Sequence, residues 1–437
     1  MTSARWVLDR CADLTRFSAG PDHLERTYLT PQHAAANATV AGWMRAAGLD
    51  TETDAAGNLW GRRGLGSAAP AAFRQKAGAR GAALVLGSHL DTVPDAGAFD
   101  GPLGVVLAIA VAERLRDAPL PFALEVVGFW DEEGTRFGTA LMGSSAVAGR
   151  WDAAWWDRQD ADGVTVREAF ERFGLAPGRV GEAARRPEDL VGYLEAHIEQ
   201  GPRLEAAGLP LGYVTSIAGA RRFVLTLTGE ARHAGGTPYE RRKDALAAAS
   251  EVILAAERLA REAGALATVG DVHVHPGAVN VIPGRVELTL DVRAHDDAGR
   301  DALVTAIEAA GREHCAGRGV AFDLAETHRA PSAVCSDRLS RAVSAGIRAA
   351  RRDGPGEDAP GGAAPGQDVP GLWSPAGHDA MAMAAVTEVG MLFIRCHDGI
   401  SHHPAESVRE DDVAAALDAF EAAVLAVARE TRERTVR

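Results

Sequence analysis

The sequence predicts an α/β protein built on a mixed sheet, with a second, ferredoxin-like (βαββαβ) domain inserted into it. Three observations predict this. Short apolar runs that read as strands alternate with helical stretches between residues 31 and 133. A self-contained strand–helix–strand–strand–helix–strand pattern occupies Arg221 to Ala330. A chain of 437 residues also exceeds what one ordinary core accommodates. The expected division is 1–214 and 330–437 for the main domain and 215–329 for the insertion.

The elements follow in order. Residues 31–49 read as a helix, with apolar positions at Ala35, Val40, Trp43, Met44 and Leu49. Thr51 to Gly61 reads as strand–turn–strand around Asp54 to Asn58. Ala82 to Gly87 is a short apolar strand, Gly101 to Arg116 a helix, and Ala123 to Trp130 the next strand. In the insertion, Phe223 to Thr228 alternates as a strand, and Arg242 to Glu262 is a long helix. Leu266 to His275 and Arg285 to Arg293 are two strands joined through Pro276 to Gly284. Asp297 to Ala316 is a second helix and Val320 to Thr327 a last strand. A helix around Leu339 to Arg351 resumes the α/β pattern. Residues 353–371, mostly Gly, Pro, Ala and Asp, read as a flexible surface loop. Val413 to Arg429 is a closing helix. No internal repeat is visible.

Composition excludes several classes. A net charge of −14 leaves no basic excess to neutralise phosphates, so nucleic acid is not the expected partner, and anionic membranes are disfavoured. No apolar stretch approaches the roughly 20 residues that span a bilayer. Arg5, Asp9 and Arg10 interrupt any apolar run near the start, unlike a secretory signal. Cys11, Cys315, Cys335 and Cys396 are scattered without a C-x-x-C pair, which fits reduced thiols and a cytoplasmic protein. Lys76 and Lys243 are the only lysines, which we read as base composition rather than function.

Four segments bring metal-ligand residue types to expected element ends. His89, Asp91 and Asp100 lie in one Gly-rich loop after a strand. Asp131, Glu132 and Glu133 follow the next strand. The third segment is Glu195-Ala-His197-Ile-Glu-Gln-Gly201, and the fourth Gly399-Ile-Ser-His402-His403-Pro-Ala-Glu406. Each is weak alone, because a lone histidine is more often structural and a Glu pair after a strand usually faces solvent. Their conjunction points to a metallohydrolase.

The chain resembles the metal-dependent amidohydrolase branch of the M20 peptidase family: allantoate amidohydrolases, N-carbamoyl-L-amino acid hydrolases and β-ureidopropionases. The resemblance rests on Gly-Ser-His-Leu-Asp-Thr-Val, Gly-Ala-Phe-Asp-Gly, Asp-Glu-Glu-Gly-Thr-Arg-Phe, His-Ile-Glu-Gln-Gly, Arg-His-Ala-Gly-Gly-Thr-Pro, Asn-Val-Ile-Pro-Gly, Asp-Val-Arg, Ala-Gly-His-Asp-Ala and Gly-Ile-Ser-His-His-Pro-Ala-Glu, and covers nearly the whole chain. It implies a dinuclear metallohydrolase catalytic domain and a lid/dimerisation domain. His89, Asp100 and His197 would hold one metal, and Asp100, Glu133 and His402 the other, with Asp100 bridging. Two divalent ions are implied, Zn2+ first, with Mn2+, Co2+ or Ni2+ also compatible with the ligands. Asp91 would orient His89. Glu132 would be the general base, facing the substrate while Glu133 faces the metal, because neighbours at a strand end alternate. His403 would be structural or solvated. His197 stands where ordinary M20 peptidases tend to use a carboxylate, which points to the carbamoyl-cleaving branch.

The insertion would supply substrate contacts. By the resemblance His233 polarises the substrate carbonyl, across the interface of a homodimer formed through the lid. Asn280 lies in the Asn-Val-Ile-Pro-Gly turn, and Arg293 suits a bidentate grip on a carboxylate. Arg222 is a second candidate there or a solvated strand arginine, and His378 would line the metal pocket without binding metal. The implied substrate is a small ureido carboxylate. Allantoate comes first, giving ureidoglycine, ammonia and carbon dioxide in purine catabolism, because Arg26 to Pro31 and Ala56 to Leu59 look like allantoate-type members. The chain reads Gly219-Ala220-Arg221-Arg222 where those enzymes often show Gly-Gln-Arg-Arg. That departure keeps N-carbamoyl-L-amino acids, or β-ureidopropionate, as the runner-up. Peptidase or acylase activity and a metal-free binding homologue are the distant alternatives.

Overall fold

The computed structural model describes residues 2–64, 82–353 and 368–436. Most of the loop read at 353–371 lies outside them. The strands in chain order are β1 (Asp50–Thr53), β2 (Leu59–Arg63), β3 (Ala83–His89), β4 (Ala123–Phe129), β5 (Leu190–Ile198), β6 (Leu211–Ile217), β7 (Gly219–Thr228) and β8 (Arg232–His233). They continue as β9 (Leu266–Thr268), β10 (Val272–His275), β11 (Val281–Ile282), β12 (Arg285–Ala294), β13 (Ala321–Ala330), β14 (Ala333–Val334), β15 (Gly371–Ser374) and β16 (Val389–Ile394).

Two compact units emerge. The first comprises Met1–Thr215, Cys335–Leu372 and Gly377–Arg437; the second comprises Ser216–Val334 and Trp373–Ala376. The second unit therefore ends later than the position 329 expected from sequence, because β13 runs through Ala330 and β14 follows it. It also takes in Trp373–Ala376: Ala218 N donates to the Ser374 carbonyl at 2.8 Å, and Arg293 Nη1 to the Pro375 carbonyl at 2.9 Å.

The large sheet runs β1-β2-β4-β3-β5-β16-β6-β14 among the described residues, with β15 on β6. It is mixed: β4, β3, β5 and β16 are parallel neighbours, while β1, β2 and β6 pair antiparallel. All seven residues of β3 and of β4 are buried, as expected of central strands covered on both faces. Helix Pro102–Arg114 packs there and is buried from Pro102 to Ala112, so its apolar residues run all round rather than along one stripe. Gly104 on this helix lets it sit against β5. A Cβ at that position would collide with the Ala196 carbonyl oxygen and the Ser88 side chain. Gly104→Ala is expected to lower stability by about 1–3 kcal/mol through overpacking. A urea midpoint equal to wild type would refute that packing account.

The second unit's sheet runs β10-β12-β7-β13, with β9 also on β12, and every pair is antiparallel. With helices Ala245–Glu262 and Asp297–Gly317 the chain order is βαββαβ. Alternate residues Val286, Leu288, Leu290 and Val292 of β12 join the helices in one core. That leaves Asp291 and Arg293 together on the opposite face.

Some sequence boundaries shift for local reasons. The helix read from Arg242 starts at Ala245, because Asp244 caps it by accepting from Leu246 N and Ala247 N. The strand read as Leu266–His275 is two strands, since Gly270 and Asp271 leave the ladder and Asp271 N turns to Thr289 Oγ1 at 3.1 Å. Helix Ala4–Leu14, with Ala4, Val7, Cys11 and Leu14 buried at helical spacing, was not read from the sequence.

Candidate active site

The first unit gathers His89, Asp91, Asp100, Glu132, Glu133, His197, His378 and His402 at strand ends. His89 is the last residue of β3 and His197 lies near the end of the parallel neighbour β5. Asp100 precedes Gly101, whose φ of +80° turns the chain into helix Pro102–Arg114. A Cβ at Gly101 would collide with the His89 ring, so a glycine is required for the loop to lie against this histidine.

The donor atoms converge on Asp100. Its Oδ1 lies 3.1 Å from His197 Nε2 and 3.7 Å from His89 Nε2; its Oδ2 lies 3.0 Å from His402 Nε2. Glu133 Oε1 is 3.3 Å from the same His402 nitrogen. Two ligand groups therefore share Asp100: His89–Asp100–His197 and Asp100–Glu133–His402, each with ligand atoms within 4.8 Å of one another. The nitrogens are also correctly presented. His89 Nδ1 lies 3.1 Å from the Asp91 carbonyl and His197 Nδ1 2.9 Å from the Ile198 carbonyl, so both rings direct Nε2 lone pairs inward. The two Nε2 atoms are only 3.5 Å apart, a spacing that a shared cation relieves. This set fits a pair of divalent ions.

Two expectations need correcting. Asp91 does not orient His89 through its side chain: its backbone carbonyl takes the Nδ1 hydrogen bond, while its Oδ1 stands 3.7 Å away. The carboxylate instead accepts Glu132 N at 3.2 Å and Glu133 N at 3.1 Å. Nor do Glu132 and Glu133 diverge by strand pleating. β4 ends at Phe129, and Asp131 at φ +65° begins a turn that aims both side chains. Glu132 is buried, unlike the usual Glu after a strand. It also clusters with His89 and Glu133 as a third possible ligand group.

The electrostatics follow from burial and crowding. Burial pushes the Glu132 carboxyl well above the usual range; His89 opposes this, while Glu133, Asp379 and Asp91 add to it. Burial favours a neutral His89, but the hydrogen bond to Asp100 and the charges of Glu132, Asp91 and Asp100 outweigh it and raise its basicity. His402 rises to about 10 through its bonds to Asp100 and Glu133. His378 is held neutral by burial and by His197, its ring centroid 4.5 Å from the His197 ring. It belongs to none of the ligand groups among the described residues. His403 is exposed and accepts Ala405 N at 3.0 Å through Nδ1.

Within the second unit, Val281 pairs with His233 across β11 and β8, and Ala234 N donates to the Asn280 carbonyl at 2.9 Å. His233 Nδ1 accepts Gly235 N at 3.1 Å and Gly236 N at 2.9 Å. The neutral ring must therefore carry its proton on Nε2, which makes it a hydrogen-bond donor. Arg222 and Arg293 meet on Asp291. Arg293 Nε reaches Asp291 Oδ1 at 2.8 Å, and Arg222 Nε reaches Oδ2 at 2.9 Å. Arg222 is thus an ion-paired residue rather than a freely solvated one. Arg293 also gives Nη2 to Asp291 Oδ2 at 3.3 Å and Nη1 to the Pro375 carbonyl at 2.9 Å, so its Nε edge is occupied and each terminal nitrogen keeps one further N–H for a ligand.

Comparison with known proteins decides the family. Residues 85–426 match the peptidase family M20/M25/M40. The chain belongs to this family. A probable allantoate deiminase of Oryza sativa subsp. japonica is 39% identical over 93% of this chain and 85% of its own length. An N-carbamoyl-L-amino acid amidohydrolase of Geobacillus stearothermophilus is 38% identical over 88% of this chain and 89% of its own. A hydantoinase/carbamoylase family amidase of Burkholderia multivorans superposes with a TM-score of 0.84 at 31% identity, covering 98% of both chains.

For this M20 chain, sequence reasoning missed the residues that support the ligands. Gln200 Nε2 donates to Asp100 Oδ2 at 2.8 Å, and Ser401 Oγ to the same oxygen at 2.6 Å. Both stand inside motifs already singled out, so the signal was present without its role. Asn58 is a more distant support. Its Oδ1 accepts Trp130 N at 3.2 Å, and its Nδ2 donates to the Gly143 carbonyl and to Asp54 Oδ2. It thereby fixes the strand end that feeds Asp131–Glu133.

Proposed function

We propose that this chain hydrolyses the ureido carbon–nitrogen bond of a small carboxylate, with allantoate the first substrate. The observation that carries this reading is Asp100 facing two separate ligand groups, with Glu132 buried beside them. His89, Asp100, His197, Glu133 and His402 would hold two divalent cations, zinc first. Bound there, such a pair acidifies a water and polarises a carbonyl.

The chain's own groups do the rest. Glu132 takes the proton of the attacking water and returns it to the leaving nitrogen. Its burial and the neighbouring carboxylates suit it to hold that proton between the two transfers. His233 Nε2–H donates to the substrate carbonyl oxygen as negative charge develops there. Arg293, held by Asp291 and the Pro375 carbonyl, offers its remaining terminal N–H groups to the substrate carboxylate, with Arg222 beside it and Asn280 near His233. The carbamate released from the cleaved ureido group breaks down to ammonia and carbon dioxide.

The assembly we propose is a homodimer through the second unit, which carries the exposed apolar side chains Leu254 and Val279. Four free, buried cysteines are consistent with a cytoplasmic protein. No helix among the described residues is long and apolar enough to cross a membrane.

One observation favours a second reading. Ala220 stands directly opposite Arg293 in the register of β7 and β12, so no side-chain amide sits there. That leaves room for the side chain of an N-carbamoyl-L-amino acid. Ammonia release from allantoate, N-carbamoyl-L-amino acids and β-ureidopropionate separates the readings. The highest kcat/KM is expected for allantoate; a higher value for an N-carbamoyl-L-amino acid replaces the first reading with the second.

A further inference from the structure

We propose that Glu406 is a positioning residue for the bridging carboxylate, stapling the loop that carries Asp100 to the loop that carries His402, with Ser401 as the second arm of the staple. The inference rests on the reading of Asp100 as a ligand shared by two metals.

Glu406 is only 5% exposed and makes no ion pair with an arginine or lysine among the described residues. Its Oε1 accepts two successive backbone N–H groups, Phe99 at 2.7 Å and Asp100 at 3.0 Å. Its Oε2 lies 3.1 Å from Ser401 Oγ, and that hydroxyl lies 2.6 Å from Asp100 Oδ2. Glu406 therefore holds Asp100 at the backbone, and Ser401, from the same loop, holds the reacting end of its side chain. The hydroxyl has one proton to give, and the shorter distance assigns it to Asp100.

The arrangement suits a bridge. A terminal ligand tolerates some rotation about its metal, but a bridging carboxylate must present both oxygens at fixed positions. Small errors in its backbone are carried to both sites. Asp100 N cannot be anchored by an upstream helical turn, because the helix begins only at Pro102. Glu406 provides that anchor from a loop 306 residues away in sequence. The 401–406 loop is itself closed by Glu406 N donating to the His403 carbonyl at 3.0 Å. The ligand His402 and the staple Glu406 are therefore parts of one turn.

Gly97 supplies independent support. A Cβ there would collide with the Glu406 Cβ and carboxylate, so this position must lack a side chain for the staple to close. Gly97 lies three residues before Asp100 and touches no proposed ligand through a side chain.

The test is Zn2+ titration of metal-free protein against a chromophoric chelator, with circular dichroism to confirm folding. Glu406→Ala is expected to weaken Zn2+ binding by about 10–100-fold, the range seen when groups behind a ligand are removed. Glu406→Gln retains the acceptor for Phe99 N and Asp100 N and should restore most of that affinity. Ser401→Ala should show a smaller loss. Gly97→Ala should weaken binding in the wild type but add little in the Glu406→Gly background, which lacks the Cβ and carboxylate it would meet, a coupling that a generally destabilising change would not produce. A folded Glu406→Ala protein with wild-type Zn2+ affinity overturns the proposal, as does an equal Gly97→Ala loss in both backgrounds. Should Glu406→Ala not fold, wild-type affinity in both Ser401→Ala and Gly97→Ala overturns it. A wild-type protein that binds no Zn2+ sinks the metal reading as well, an outcome distinct from variants that merely match wild type.

Discussion

Glu132→Gln is expected to reduce kcat on the preferred ureido substrate by about 10²–10⁴-fold, the usual contribution of a positioned general base. Two features make the substitution clean. The turn bearing Glu132 is fixed by backbone N–H groups on Asp91, not by the Glu132 side chain. The amide has nearly the volume of the carboxyl, and Gly377 leaves space beside it, with a Cβ there still 3.6 Å from Glu132 Oε1. Metal content should therefore stay at the wild-type level while turnover falls. Steady-state kinetics with elemental analysis of the same preparations measures both. A Glu132→Gln protein that loses metal in parallel with activity would mark Glu132 as a ligand, in line with its clustering beside His89 and Glu133. Near wild-type turnover would remove it from the proton path.

Asp100→Ala is expected to abolish activity and to remove both metals, whereas His402→Ala should disturb one group and leave His89–Asp100–His197 intact. The asymmetry follows from geometry, since Asp100 alone belongs to both ligand groups on either side of the bridge. Stability should respond as well. Metal bound only by the folded protein adds about 2.7 kcal/mol when its free concentration is a hundredfold above Kd. Chelation should lower the thermal midpoint of the wild type and leave that of Asp100→Ala unchanged. Calorimetry with and without chelator checks this. An Asp100→Ala protein that retains two ions, or whose midpoint still responds to chelator, would disprove the bridge.

The candidate ligands were legible because metal chemistry constrains residue type. His89, Asp100, Glu133, His197 and His402 are hard-to-borderline donors at apolar strand ends or in the loops that follow them, and the structure brings them into two groups that share Asp100. The supporting residues were not legible as such. Asp91 looks from sequence like the partner of its neighbour two residues away, yet its carboxylate serves a turn 41 and 42 residues distant. Glu406 and Gln200 stood in motifs that had been noted, but nothing in a linear motif says which carbonyl, N–H or carboxylate a side chain reaches. Asn58 and Asp54 read as turn residues, and only the fold shows them holding the entry to Glu132. Ordinary strand alternation gave a mechanism for parting Glu132 from Glu133. The structure replaces it with a left-handed residue at Asp131.

By itself the sequence determined the α/β class, the βαββαβ order of the insertion and the residue types that the family resemblance offers as candidate ligands. Those properties are written in local periodicity and in donor type, both of which survive in one dimension. Tertiary structure alone decided which oxygen of Asp100 faces which histidine and what holds Arg293 and Asp100 in place. Those outcomes depend on hydrogen bonds between segments as far as 307 residues apart for the Asp100 loop and 82 for Arg293, whose partners are set by packing and not by neighbours in the chain.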